Sequence, residues 1–228
     1  MGRLAAWLTA VGLSISAAGA AGAQMAERFD YLVREDMFRG FSGDTAAFER
    51  AMALCETRLV ADPNNAEALV WHGTGLLFRA GEAVRSGDHD KGAALNRAGL
   101  AEMAKAVALR PNDISVLIPR GSVMLAAGMR IPDVERARRF FETAVGDFEK
   151  VLALQQPYLE SLPPHPKGEL LAALAEGWSR LGEMQKSQLY LTRMVVELPN
   201  TPYSAAATAR LENPAAGARL TCLGCHTK

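Results

Sequence analysis

From Met25 to about Leu211, apolar residues return at intervals of three and four, and no stretch alternates apolar with polar as a strand would. The pattern predicts helix after helix. Its interruptions are clusters of turn residues: Gly40 to Gly43, Asp62 to Asn65, Ser86 to Asp90, Arg110 to Asp113, Arg130 to Asp133, Gln155 to Pro166 and Leu198 to Pro202. Three of these share a form, in which an alanine- and leucine-rich helix runs into Ala-Asp-Pro-Asn-Asn, Leu-Arg-Pro-Asn-Asp or Leu-Pro-Asn-Thr. Proline removes a backbone donor and ends one helix, and Asn or Asp then caps the next. The expectation is an all-α chain of stacked helical hairpins.

The recurrence is an internal repeat. In one unit Leu171, Leu174, Ala175 and Trp178 fall on the first helix, Ser187 and Leu191 on the second, and Pro199 closes it. An earlier unit offers Leu69, His72, Gly73 and Leu76, then Met103, Ala106 and Pro111; another offers Leu117, Arg120, Gly121 and Met124. The first unit keeps its second half clearly, from Phe48 to Pro63. These positions resemble the tetratricopeptide repeat, a helix-turn-helix of about 34 residues. The resemblance implies an α-solenoid whose hairpins bury their apolar faces only by stacking, with a concave face that takes a protein partner. Gly73 to Pro111 spans 38 residues and Gly121 to Pro157 spans 36, against 24 from Ala175 to Pro199, so the second and third hairpins are expected to be longer than the family norm. A short helix over 203–211 is expected to cap the last pair, giving a repeat domain over 24–212 and a linker and tail over 213–228.

The tail carries the candidate chemistry. Cys222-Leu223-Gly224-Cys225-His226 has the spacing of a c-type haem attachment site. Two thiols three positions apart can add across the two vinyl groups of one porphyrin, and the adjacent His then lies under the iron. The motif is similar to that of c-type cytochromes, which implies a covalent haem c held by thioethers to Cys222 and Cys225, with His226 as an axial ligand of the iron. Only these five residues match that class. A globular cytochrome domain wraps its haem with chain beyond the motif, and here only Thr227 and Lys228 follow. Other chemistries fit the same residues: a thiol redox couple, half of a zinc site, a plain disulfide, or a tail without cofactor.

The opposite end agrees with the haem reading. Residues 1–23 have the form of a secretory signal peptide, with Arg3 as the only charge, an apolar stretch from Leu4 to Ile15, and small residues at Ala21-Gly22-Ala23 before Gln24. The apolar run is short and interrupted by Thr9, Gly12 and Ser14, so no permanent membrane span is expected. The expected destination is the periplasm, where covalent haem attachment takes place.

Charge and composition narrow the partners. Lys and Arg number 25 and Asp and Glu number 25, with no block of one sign, which argues against nucleic acid as a partner. Three cysteines are too few for a disulfide scaffold, and Cys55, alone in an apolar helical stretch, is expected to be a small buried hydrophobe. No phosphate loop, His-Glu-x-x-His or nucleophile elbow is present, so a redox carrier is expected rather than a catalyst.

A second axial ligand for the iron is not specified by the sequence. His165, in the proline-rich loop Leu162-Pro163-Pro164-His165-Pro166, is the most suggestive; His72 reads as a core histidine bonded to a neighbouring helix, and His89 as a turn residue. A methionine is the other candidate, because Met/His ligation is common in electron-transfer haems, although Met103, Met124, Met129, Met184 and Met194 fall at helical core positions where packing explains them; Trp71 and Trp178 lie on first helices. Two readings of the whole result. One is an exported repeat protein with a haem-bearing tail that docks to a periplasmic redox protein or complex. The other is a haem-free interaction scaffold or chaperone of the periplasm, its tail holding a disulfide or metal.

Overall fold

The computed structural model describes residues 28–214 and Leu220. Residues 1–23, read as a signal peptide, and Cys222, Cys225 and His226 lie outside the described residues. Among the described residues every regular element is helical. Four antiparallel hairpins follow one another: α1 (Phe29–Phe41) with α2 (Thr45–Ala61), α3 (Ala66–Arg85) with α4 (His89–Leu109), α5 (Ile114–Gly128) with α6 (Val134–Gln155), and α7 (Pro164–Arg180) with α8 (Met184–Glu197). A single helix, α9 (Pro202–Glu212), packs on α8 and closes the stack, as the pattern predicts for the capping helix.

Two turn chemistries alternate along the chain. Inside the first, second and fourth hairpins the chain reverses through Gly43, Gly87 and Gly182, with φ of 110°, 88° and 82°. Only glycine adopts that left-handed backbone without steric cost, so each ends a first helix cleanly. Between elements, Pro63, Pro111 and Pro199 stop α2, α4 and α8. The cap that follows each is Asn65, Asp113 or Thr201, whose side-chain oxygen accepts from the backbone N–H of Ala68, Ser115 or Ser204 at 3.0, 2.8 and 3.3 Å. Each such cap satisfies a helix donor that has no partner within the helix, worth about 1 kcal/mol.

The first helices α1, α3, α5 and α7 touch in succession, and each second helix leans on the first helix of the next hairpin. This places α3 and α7 at the centre. Ala66 to Trp71 and Gly73 to Leu77 are buried, and so is the unbroken run Leu170 to Gly177. A helix buried on all sides is a core helix, not an amphipathic wall. Where α3 crosses α4 the backbones meet: a Cβ on Gly73 would lie 2.7 Å from the Gly99 carbonyl oxygen, and one on Gly99 would lie 2.6 Å from that of Gly73. No described helix is long and apolar enough to cross a membrane.

Three details differ from the sequence reading. The extra length of the third hairpin resides in α6 and in the 3-10 turn Gln156–Ser161 that extends it, while α5 has only 15 residues. His165 is not in a loop but in the first turn of α7; Pro164 and Pro166 are accommodated there because the first N–H groups of a helix have no intrahelical acceptor. Met129 and Met184 are not core residues. They flank turns, one just after α5 and the other opening α8, and remain 38% and 43% exposed, whereas Met103, Met124 and Met194 are buried.

Candidate functional site at the end of the stack

The sequence-predicted residues that are described divide into a buried set and an end set. Cys55 is fully buried, and burial, reinforced by the nearby carboxylates of Glu102 and Glu56, pushes its thiol up to about 12. A thiol that remains protonated inside the core is inert toward metals and disulfides. His72 lies where α2, α3 and α4 meet. Its Nδ1 is 2.7 Å from Glu102 Oε2, and its Nε2 faces Glu56 Oε1 at 3.8 Å, with the side chain only 14% exposed. His89 is exposed as the first residue of α4, behind the Asp88 cap.

His165 belongs to a different environment. Its Nδ1 is 2.8 Å from the hydroxyl of Tyr203, and that hydroxyl donates to Glu169 Oε1 at 2.8 Å. The chain His165–Tyr203–Glu169 joins the start of α7 to the start of α9. It can form because Gly168 has no side chain: a Cβ there would sit 2.5 Å from the Tyr203 ring, so the phenol lies directly on the α7 backbone. Tyr203 follows Pro202, which begins α9, and this holds the ring in the first turn.

Charge is paired in layers beneath this surface. Lys167, one turn into α7 and buried, reaches Glu197 at the end of α8 at 2.8 Å, and Arg193 bonds the same carboxylate at 2.6 Å. Burial alone would push the Glu197 carboxyl up, but the hydrogen bonds from Arg193 and Lys167 and their charges hold it below its ordinary value. Farther along α7, buried Glu176 accepts from Arg180 at 2.7 Å and from Arg210 of α9 at 3.3 Å. Lys186 stands 3.8 Å above the ring of Trp178 in a cation–π contact, and the indole N–H of Trp178 is buried without an acceptor. Met184, Leu191, Arg210, Leu211 and Pro214 line a small hollow where the chain leaves α9. Leu220, inside the segment read as a linker, is 4% exposed and belongs to the hydrophobic core.

Sequence reasoning did not find the buried polar clasps of the other hairpins. Asp30 of α1 accepts from the Trp71 indole at 3.1 Å, while its own backbone N–H donates to Glu67 Oε2 at 2.8 Å. Burial raises the Asp30 carboxyl, against the pull of Arg34, Arg28 and the Trp71 N–H. Arg120 of α5 grips Asp147 of α6 with two bonds of 2.6 and 2.7 Å. The available signal was a polar residue at an apolar repeat position, as at His72 and Arg120; its partner lies across the hairpin and has no fixed spacing. An open hollow of about 560 Å³ lies beside Arg110, Asn112, Asp113, Ile114, Leu154 and Tyr158. Among the described residues no cluster of three or more His, Cys, Asp or Glu could hold a metal ion. No protein-family model, no curated protein and no solved structure matches this chain.

Proposed function

We propose that this is an exported, tetratricopeptide-like repeat protein that carries one covalent haem c on its C-terminal tail. It acts as an electron carrier, or as a haem-bearing subunit, docked to a periplasmic redox protein. The observation that carries the reading is the run Cys222-Leu223-Gly224-Cys225-His226, whose donor set suits one haem: two thiols for the vinyl groups and an imidazole for the iron. One feature of the body supports it. The third cysteine, Cys55, is buried as a protonated thiol and does not compete for the tail pair.

When bound, the haem supplies a one-electron iron couple. The tail cysteines hold it, His226 binds the iron, and the helical stack presents the surface that recognises the partner. A second reading, a haem-free interaction scaffold, is favoured by the open hollow beside Arg110 and Tyr158, which has room for a partner's side chains. Intact mass and the visible spectrum of the chain, exported in a host with haem-attachment machinery, separate the two. The haem reading expects a Soret band and a covalent mass increase, both lost in Cys222→Ala. A colourless protein of bare polypeptide mass sinks it and leaves the scaffold.

A further inference from the structure

The open hollow where the α4–α5 connection meets the end of α6 is built from two kinds of residue. Pro111, Ile114 and Leu154 supply apolar carbon, and Arg110, Asn112, Asp113 and Tyr158 are the polar groups around it. The acceptor among them is already engaged: Asp113 Oδ1 accepts from the backbone N–H and hydroxyl of Ser115, and Oδ2 accepts from Arg110. The donors are not. Arg110, its side chain half exposed, uses only Nη1, which reaches Asp113 at 3.3 Å and Glu67 at 3.6 Å. Its Nε and Nη2 have no acceptor among the described residues, and neither do the hydroxyl of Tyr158 and the side-chain amide of Asn112. Arg120 and Arg50 show the contrast. Each gives both Nε and Nη2 to one carboxylate, at 2.7 and 2.6 Å to Asp147 and at 3.0 and 2.7 Å to Asp36. That two-bond grip is how a guanidinium holds a carboxylate most firmly, and at Arg110 it is left open.

We propose that this hollow binds a small apolar carboxylate. The carboxylate sits on Nε and Nη2 of Arg110, with Asn112 and Tyr158 as further hydrogen-bond partners, and its apolar body covers Pro111, Ile114 and Leu154. The volume of about 560 Å³ falls within the roughly 300 to 1,000 Å³ of small-molecule sites. Glu67 and Asp113 carry negative charge nearby, but Glu67 already accepts from the Asp30 backbone N–H and the Ser115 hydroxyl. Their charges weaken the attraction without occupying the open edge of Arg110, so the affinity expected is modest. The proposal goes beyond both readings above and holds with or without a haem on the tail.

The test titrates the nitrogen-15-labelled full chain with hydrocinnamate, a phenyl ring on a short carboxylate, and follows amide shifts by NMR. Saturable shifts are expected at residues 110–114 and 154–158, with a Kd of about 1 mM. Hydrocinnamamide, the same body without the charge, is expected to bind about 5-fold more weakly. Arg110→Gln is expected to lose about 5-fold for the acid and little for the amide, which a merely structural loss would not do. Because that change also releases Glu67, Asn112→Ala serves as a second variant; its side chain is exposed and has no internal bond, and a loss of about 2-fold is expected. Acid and amide binding equally well overturns the proposal, as does the absence of saturable shifts up to about 20 mM. Affinity unmoved in both variants also overturns it. A short peptide ending in Phe that binds more tightly than the free acid overturns the small-molecule assignment in favour of a protein partner.

Discussion

The second and last hairpins each hold a histidine on the first helix, and the two are built for opposite ends. His72 is wedged between Glu102 and Glu56 at the junction of three helices, so both ring nitrogens are engaged in holding α2, α3 and α4 together. His165 stands on the surface, its Nδ1 2.8 Å from a phenol that is itself tied to Glu169. The helix crossings differ in the same sense. In the second hairpin Gly73 and Gly99 bring backbones into contact, while in the last hairpin the corresponding Ala175 keeps its Cβ, and its carbonyl accepts from Ser187 Oγ at 2.8 Å. How exposed a histidine stands is therefore set not by its type but by the number of elements that close around it.

The largest effect that would break this contrast is expected at the tight crossing. Gly99→Ala places a methyl against the Gly73 carbonyl and Leu77, where backbone must move, and is expected to cost about 3 kcal/mol in urea unfolding. A loss below about 1 kcal/mol would show that the crossing is not close-packed.

Next come the two histidines, compared directly. His72→Ala leaves Glu102 and Glu56 without their common partner and is expected to cost about 2 kcal/mol. His165→Ala is expected to change stability by no more than about 0.5 kcal/mol, as an exposed side chain should. Equal losses at the two sites would erase the distinction between an enclosed and an exposed imidazole.

The smallest effect is one of pH. The folded Glu197 carboxyl is held below its ordinary value of 4.5, because Arg193 and Lys167 outweigh the cost of its burial. The unfolded chain therefore takes up that proton first on acidification. The stabilisation from Glu197 is fully present above pH 4.5 and is lost as pH falls through the lower folded value. Glu197→Gln should thus flatten the acid limb of the urea midpoint against pH, with little change near neutrality beyond the loss of the pairs. An acid limb as steep as that of wild type would assign the titration to other carboxylates.

Much of the architecture was legible in the residues. Helix ends were marked by Pro63, Pro111 and Pro199 because proline cannot donate, and the caps at Asn65 and Asp113 because short polar side chains satisfy free N–H groups. Periodicity does not distinguish a wall helix from one surrounded by neighbours, so the burial of α3 from Ala66 to Trp71 and Gly73 to Leu77, and of α7 from Leu170 to Gly177, was not visible. Nor were the ends of core helices: Met129 and Met184 match the apolar period, yet the chain turns beside them and leaves them 38% and 43% exposed.

The chemistry proposed for the tail rests on sequence alone. Cys222, Cys225 and His226 lie within five residues, a spacing that suits one haem and that a disulfide, a thiol couple or half of a zinc site would also fit. The environment of each histidine was decided only by the tertiary structure. Glu102 lies thirty residues from His72, and Tyr203 thirty-eight from His165. Side chains that far apart meet only when hairpins stack, because the helical period sets which face a residue occupies but not which neighbour arrives on it.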